Sequence, residues 1–209
     1  MISLKHEWRK KEKDLYIPKE DPKLVDVPKF KFLQIKGSGN PNSEEFKERI
    51  EALYSLSYAI KMMHKGGVTV DGYFDYTVYP LEGTWDLSEE GRKKKELDKD
   101  ELIYTLMIRQ PDFVDEKIFN SLREKVKEKK KIKLLDEVLF KEIEEGLSVQ
   151  ILHIGSYDEE AKSFKKMKEF IKENNLKLKT LVHREIYLSD ARKVSKDKLK
   201  TVLRYNVEK

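Results

Sequence analysis

Leu152-His153-Ile154-Gly155-Ser156 echoes an earlier stretch, Leu33-Gln34-Ile35-Lys36-Gly37-Ser38. In both, apolar residues two apart run into a glycine and a serine, the pattern of a strand that ends in a turn. Each copy leads into a helix signal. After the first, Gly39-Asn40-Pro41 breaks the strand, and Asn42 with Glu45 forms a capping-box pattern with asparagine in the Ser/Thr position. Phe46, Ile50, Leu53, Tyr54 and Ser57 then fall at helical spacing until Gly66-Gly67. After the second, Asp158 or Ser156 caps a helix with Ala161, Phe164, Met167 or Lys168, and Ile171 on its inner face. Asn174-Asn175 suits a left-handed stop.

Further strands follow in each half. Val70 to Leu81 and Leu102 to Gln110 read as strands on either side of a polar stretch, Asp86 to Asp100. In the second half Leu178 to Leu188 reads as a strand, Ser195 as the cap of a last helix through Leu203, and Tyr205 to Val207 as a closing strand. Val78-Tyr79-Pro80-Leu81 echoes Ile186-Tyr187-Leu188. A helix from Asp115, with Ile118, Leu122 and Val126 inward, joins the halves. Leu134 to Ile143 continues either as helix or as a short helix and a strand. Near the start, Leu24 to Val27 reads as an edge strand stopped by Pro28.

The order implies an α+β fold of duplicated strand-helix-strand-strand modules. Antiparallel sheets would carry helices on one side, with a cleft between the repeats as the natural pocket. The expected organisation is an N-terminal arm over 1–28 and one domain over 29–209. Repeat one covers about 29–112, a connector 113–146, and repeat two about 147–209.

Composition narrows the function. The chain has 209 residues, 38% hydrophobic and 10% aromatic, enough to bury a core. It has no cysteine, which excludes disulfides, thiolate metal sites and a cysteine nucleophile and fits a reducing cytoplasm. Met1 to Asp14 is too charged for a secretory signal, and no stretch reaches the ~20 apolar residues of a membrane helix. A cytoplasmic location without membrane contact is expected. The net charge of +5 comes from 44 basic residues interleaved with 39 acidic ones. Arg92 to Lys95 and Lys129 to Lys133 lack interleaved aromatics, so no nucleic-acid partner is expected. Four scattered histidines give no metal-ligand spacing. No dinucleotide fingerprint, phosphate loop or serine elbow occurs. No cofactor and no metal are therefore expected.

Three segments carry candidate chemistry. In His183-Arg184-Glu185-Ile186-Tyr187-Leu188-Ser189-Asp190, strand alternation puts His183, Glu185 and Tyr187 on one face. Val182, Arg184, Ile186 and Leu188 take the other. If the apolar face packs on helices, the Glu185 face looks into a groove or into solvent. The plain alternative is an exposed strand carboxylate paired with a lysine across the sheet. In Tyr79-Pro80-Leu81-Glu82-Gly83-Thr84-Trp85, Trp85 could be a stacking platform and Glu82 a second acid, or Trp85 could simply cover core. In Tyr104 to Pro111, Tyr104 and Met107 could line a pocket or pack within a sheet. His153 and Tyr157 bracket Gly155 at a strand-to-helix corner, where a histidine is commonly a hydrogen-bonded structural residue.

Taken together, Tyr104 to Phe113 (YTLMIRQPDF), Val149 to Glu159 (VQILHIGSYDE), His183 to Asp190 (HREIYLSD), Leu81 to Trp85 and Lys198 to Arg204 (KLKTVLR) resemble the GyrI-like small-molecule-binding family. The resemblance runs from about Leu15 to the end. Ser156 departs from it, where many relatives carry proline, which affects a turn. The resemblance implies a cleft for planar aromatic or cationic compounds with Glu185 inside it. From the segments themselves, Glu82 and Tyr104 are candidates beside the reacting group, and Tyr187, Trp85, Tyr157, His153, Met107 and Tyr79 are candidate ligand contacts. Relatives include effector-binding parts of multidrug-responsive regulators, but no helix-turn-helix precedes the domain in this sequence. The long stand-alone form resembles hydrolases of cyclopropane-bearing, DNA-alkylating natural products. The implied activity is detoxifying hydrolysis with Glu185, its pKa raised by an apolar cleft, activating water. The alternative is a non-catalytic xenobiotic-binding module for sequestration or effector sensing, as monomer or homodimer.

Overall fold

The computed structural model describes residues 5–68 and 70–209; the first residues of the expected arm and Thr69, just ahead of the strand expected from Val70, lie outside them. Along the chain the elements are α1 (Trp8–Lys11), α2 (Lys13–Tyr16), β1 (Lys23–Val27), β2 (Phe30–Ser38), α3 (Glu44–Met62), β3 (Leu81–Leu87) and α4 (Glu89–Lys93). They continue with β4 (Leu102–Gln110), α5 (Glu116–Lys129), β5 (Leu139–Ile143), β6 (Gly146–Ile154), α6 (Ala161–Glu173), β7 (Lys177–Tyr187) and β8 (Lys200–Glu208). The strand-helix-strand-strand order therefore occurs twice, as β2-α3-β3-β4 and β6-α6-β7-β8. The fold is α+β with antiparallel strands.

The chain forms two compact units. Unit one holds residues 30–79 and 87–143 with the segment before Trp8; unit two holds 8–29, 80–86 and 144–209.

In unit one, β2 lies between β4 and β5, with Leu33 opposite Ile108 on one side and Phe140 on the other. Leu53, Leu56 and Ile60 of α3 are completely buried, as are Leu33, Ile35, Leu106 and Ile108 of the strands. The helix begins at Ser43, whose side chain accepts from Phe46 N, so the cap lies one residue after the expected Asn42. Gly67 closes the following turn with φ 79°, a conformation that glycine reaches without a Cβ clash. Gly37 has a different role: a Cβ there would lie 2.4 Å from the Tyr104 ring and 2.7 Å from Arg49 Nε.

In unit two the strand order is β1-β6-β8-β7-β3. Met167 and Ile171 of α6 bury Val149, Ile151, Leu203, Tyr205 and Val207. Residues 8–29 are packed here, with Trp8 and Tyr16 each 3% exposed. Two expected elements differ. The strand expected over Val70 to Leu81 begins only at Leu81, because 70–80 carry only an isolated bridge between Tyr76 and His6. The helix expected from Ser195 through Leu203 is one 3-10 turn, Lys196–Lys198, followed by β8. The run Thr201-Val202-Leu203-Arg204-Tyr205 is buried throughout, as a central strand covered on both faces must be. That removes the alternation that would have marked it as a strand.

Candidate functional site

The site lies in unit two, where β3 and β7 pair with Trp85 opposite His183, Gly83 opposite Glu185 and Glu82 opposite Ile186. Residues directly opposite each other share a face of an antiparallel pair. Across β8, Glu185 also faces Leu203, and His183 faces Tyr205. Leu203 and Tyr205 are packed by α6, so the Glu185 face is the helix-covered face. This reverses the expectation that Glu185 points away from the helices. The reason is that the opposite face is not an ordinary apolar one: it carries Glu82, Arg184, Arg204 and Gln150, all buried.

On the helix-covered face Glu185 is 8% exposed and accepts hydrogen bonds at both oxygens. Trp85 Nε1 donates to Tyr187 Oη at 2.8 Å, and Tyr187 Oη donates to Glu185 Oε2 at 2.8 Å. An indole N–H can only donate, so the single tyrosine proton is directed to the carboxylate. His183 Nε2 lies 2.9 Å from Glu185 Oε1, and its N–H donates there. Phe164 of α6 meets the His183 ring edge-to-face at 4.7 Å, and Tyr157 meets Tyr187 at 6.0 Å. Gly83, across from Glu185, places no side chain beside the carboxylate. Burial, then the charges of Glu185, Glu160 and Asp190, pushes the Tyr157 phenol up to about 12, although the residue is 41% exposed.

A second carboxyl belongs to this face and was not singled out from the sequence. Glu160, at the start of α6, is 7% exposed, and its Oε1 is buried without a hydrogen-bond partner. Burial, then the charges of Glu185 and Asp158, pushes it up to about 9. Its sequence signal was the spacing Glu160, Phe164, Met167, Ile171, which puts Glu160 on the inward face at i, i+4, i+7 and i+11. The run Asp158-Glu159-Glu160 masked it as an ordinary acidic helix start.

The other face holds a closed ionic network. Arg184 Nη1 donates to Glu82 Oε2 at 2.8 Å, and Arg184 Nε lies 3.2 Å from Glu145 Oε2. Arg204 Nη1 donates to the same Glu145 oxygen at 2.9 Å, while its Nε and Nη2 reach Gln150 Oε1 at 3.1 and 2.8 Å. Arg204 Nη2 also donates to Leu15 O, which ties in the 8–29 segment. Burial opposes ionisation of Glu145, but Arg204 and Arg184 outweigh it and hold the carboxyl below its ordinary range. Burial pushes Glu82 up against the pull of Arg184.

The expected site residues therefore separate. Glu185, Tyr187 and Trp85 form one hydrogen-bonded chain with Tyr157 beside it. Glu82 is on the opposite face, committed to Arg184. His153 is 1% exposed, with Nδ1 2.9 Å from Ser163 Oγ and Nε2 3.0 Å from Ser156 O. Both ring nitrogens are used to pin the strand-to-helix corner. Tyr104, Met107 and Tyr79 belong to unit one. There Tyr104 packs on Phe46 at 5.1 Å, Met107 is buried opposite Gln34, and Tyr79 lies under the Arg109 guanidinium at 4.5 Å. Two clefts also lie in unit two. One of about 580 Å³ runs along α6 past Phe164 and Tyr205, and one of about 360 Å³ lies by Leu24 and Phe170.

With this geometry in hand, residues 20–206 match the family model for the GyrI-like small molecule binding domain. The chain belongs to the GyrI-like small-molecule-binding family. It is similar to a solved protein described as a hydrolase from Listeria innocua, with 36% identity, a TM-score of 0.89, and 98% of this chain and 100% of that one covered. It is equally similar to an uncharacterized conserved protein from Listeria innocua, at 37% identity and a TM-score of 0.91 over 98% and 100%. The EcmrR C-terminal domain shares the fold at 15% identity and a TM-score of 0.55, over 90% of this chain and 98% of that domain. Among curated proteins none matches. Among the described residues no helix is long and apolar enough to cross a membrane.

Proposed function

We propose that this protein is a small-molecule hydrolase that opens strained, cyclopropane-bearing aromatic compounds, with Glu185 as the base that activates water. The observation that carries this reading is the Glu185 carboxylate itself. It is buried among aromatic rings, oriented by Tyr187 and His183, and among the described residues it forms no ion pair with a lysine or arginine. A carboxylate spent on stability finds a guanidinium, as Glu82 does in the same unit. The likeness over the full length to a protein described as a hydrolase supports the same class.

The chemistry needs little beyond this. Water attacks a ring carbon, the strained C–C bond breaks, and the electron pair moves to a conjugated carbonyl oxygen. Glu185 takes the proton that water loses. Tyr187 and His183 fix the carboxylate, so little reorganisation is required as charge moves. Tyr157, with two-fifths of its surface exposed, is placed to stack on a flat substrate. A positioned proton-transfer group is typically worth about 10²–10⁴-fold in rate.

The test is turnover of a cyclopropane-dienone compound in oxygen-18 water, followed by mass spectrometry. Wild type should give labelled, ring-opened product over many turnovers, and Glu185→Gln should lose about 10²-fold or more. Equal rates would remove Glu185 from the mechanism. Tight binding without turnover would favour the second reading, a binding module. The same paired carboxyls and rings also suit a lipophilic cation, which Glu185→Gln should then weaken more than a neutral ligand of the same shape.

A further inference from the structure

Glu160 stands at the N-cap of α6 and does none of the work of that position. An acidic side chain at a helix start normally accepts from a free backbone N–H or lies in water. Here α6 continues from a 3-10 turn, Tyr157–Glu159, that has its own cap: Glu159 Oε2 accepts from Ser156 N and from Ser156 Oγ, each at 3.2 Å. Glu160 makes no side-chain capping hydrogen bond, turns inward, and leaves Oε1 buried with no partner. The charged groups that act on it are Glu185 from β7 and Asp158 from the preceding turn, both acidic. Tyr187 and Tyr157 complete its surroundings, and Glu160 opposes the ionisation of each. With one carboxyl oxygen buried and unpartnered and only acidic groups acting on it, the charged form is disfavoured and the neutral acid is favoured.

We infer that Glu160 carries a proton at neutral pH and is the proton donor that works opposite the Glu185 base. The donor role rests on the hydrolase reading; the location of the proton does not. The step balances with water as the only co-reactant. A water oxygen forms its bond to the substrate carbon, the C–C bond breaks, and Glu185 takes the water proton. The electron pair ends on the substrate oxygen, which receives the Glu160 proton. The single ring-opened product carries a new alcohol, from water, and a hydroxyl where the carbonyl oxygen was, and one proton passing from Glu185 to Glu160 resets the pair. The rise of the Glu160 carboxyl to about 9 agrees with this division of labour, one acid and one base on the same face.

The test has two arms. Infrared difference spectra at pH 7 compare wild type with Glu160→Gln and Glu185→Gln for the C=O stretch of a protonated buried carboxyl. The expected band is present in wild type, kept in Glu185→Gln and lost in Glu160→Gln. A band lost in Glu185→Gln instead, or no band in wild type, overturns the inference. In the second arm, kcat for ring opening is followed against pH. Glu160→Gln should lower kcat at least ~10-fold and abolish the fall in rate on the alkaline side, with KM little changed. Wild-type rates and pH dependence in Glu160→Gln overturn the donor role even if the band behaves as expected. A wild type that turns nothing over sinks the hydrolase reading, and the infrared arm still decides where the proton sits.

Discussion

The two faces of the β3–β7 ladder each bury two carboxyl groups and treat them in opposite ways. On one, Glu82 and Glu145 meet Arg184 and Arg204, and the charges cancel within hydrogen-bonding distance. On the other, Glu160 and Glu185 meet tyrosines, tryptophan and histidine, and no guanidinium neutralises them. The first arrangement spends its charges on holding strands and the 8–29 segment together. The second leaves both carboxyls without a guanidinium partner among the described residues. On the proposed function, it is the partner of a buried carboxyl, rather than burial alone, that separates a working group from a structural one.

This contrast can be broken by substitution. The largest effect on stability should come from Arg184→Met, which strands Glu82 in a fully buried position. Chemical denaturation should register a loss of about 3–5 kcal/mol, whereas Glu185→Gln should unfold close to wild type. A mild Arg184→Met would mean that the network is not the anchor described. Tyr187→Phe comes next. It removes a donor from Glu185 and leaves the buried Trp85 N–H without its acceptor, at a cost of about 1–3 kcal/mol, and it should also slow turnover. The third prediction concerns pH. The folded value of Glu160 lies above its ordinary 4.5, so the folded chain keeps a proton that the unfolded chain sheds. Stability therefore falls along a slope as pH rises between about 4.5 and 9. Glu160→Gln removes that slope, so the variant should gain on wild type as pH is raised through this window. Parallel stability curves for the two proteins would place the proton elsewhere.

Much of this was legible in the sequence. The echo of Leu33–Ser38 in Leu152–Ser156 gave the duplication, because a strand ending in a turn leaves a local signature. HREIYLSD placed Glu185 and Tyr187 on one face by simple alternation. Alternation could not say which face α6 would cover, because the deciding residues, Leu203 and Tyr205, sit on another strand. Glu82 and His153 passed as site candidates because their partners, Arg184 and Ser163, are set by tertiary pairing. Glu160 was missed because the run Asp158-Glu159-Glu160 reads as an ordinary acidic helix start. The echo of Val78–Leu81 in Ile186–Leu188 was misplaced, since the strand of the first repeat that pairs with β7 starts at Leu81.

Unit two is stitched from three separated pieces of chain, 8–29, 80–86 and 144–209. Arg204 donates to Leu15 O across a long stretch of sequence, so during synthesis the segment bearing Leu15 is made well before the strand that must meet it. β3 must likewise wait for β7 before its carboxylate and its tryptophan find their partners. Such long sequence separations slow folding, because loop closure comes before any contact rewards it. The site therefore cannot form before β8 is made, and a nascent chain stopped short of β8 has the aromatic residues of the site but not the strand that pairs with β7.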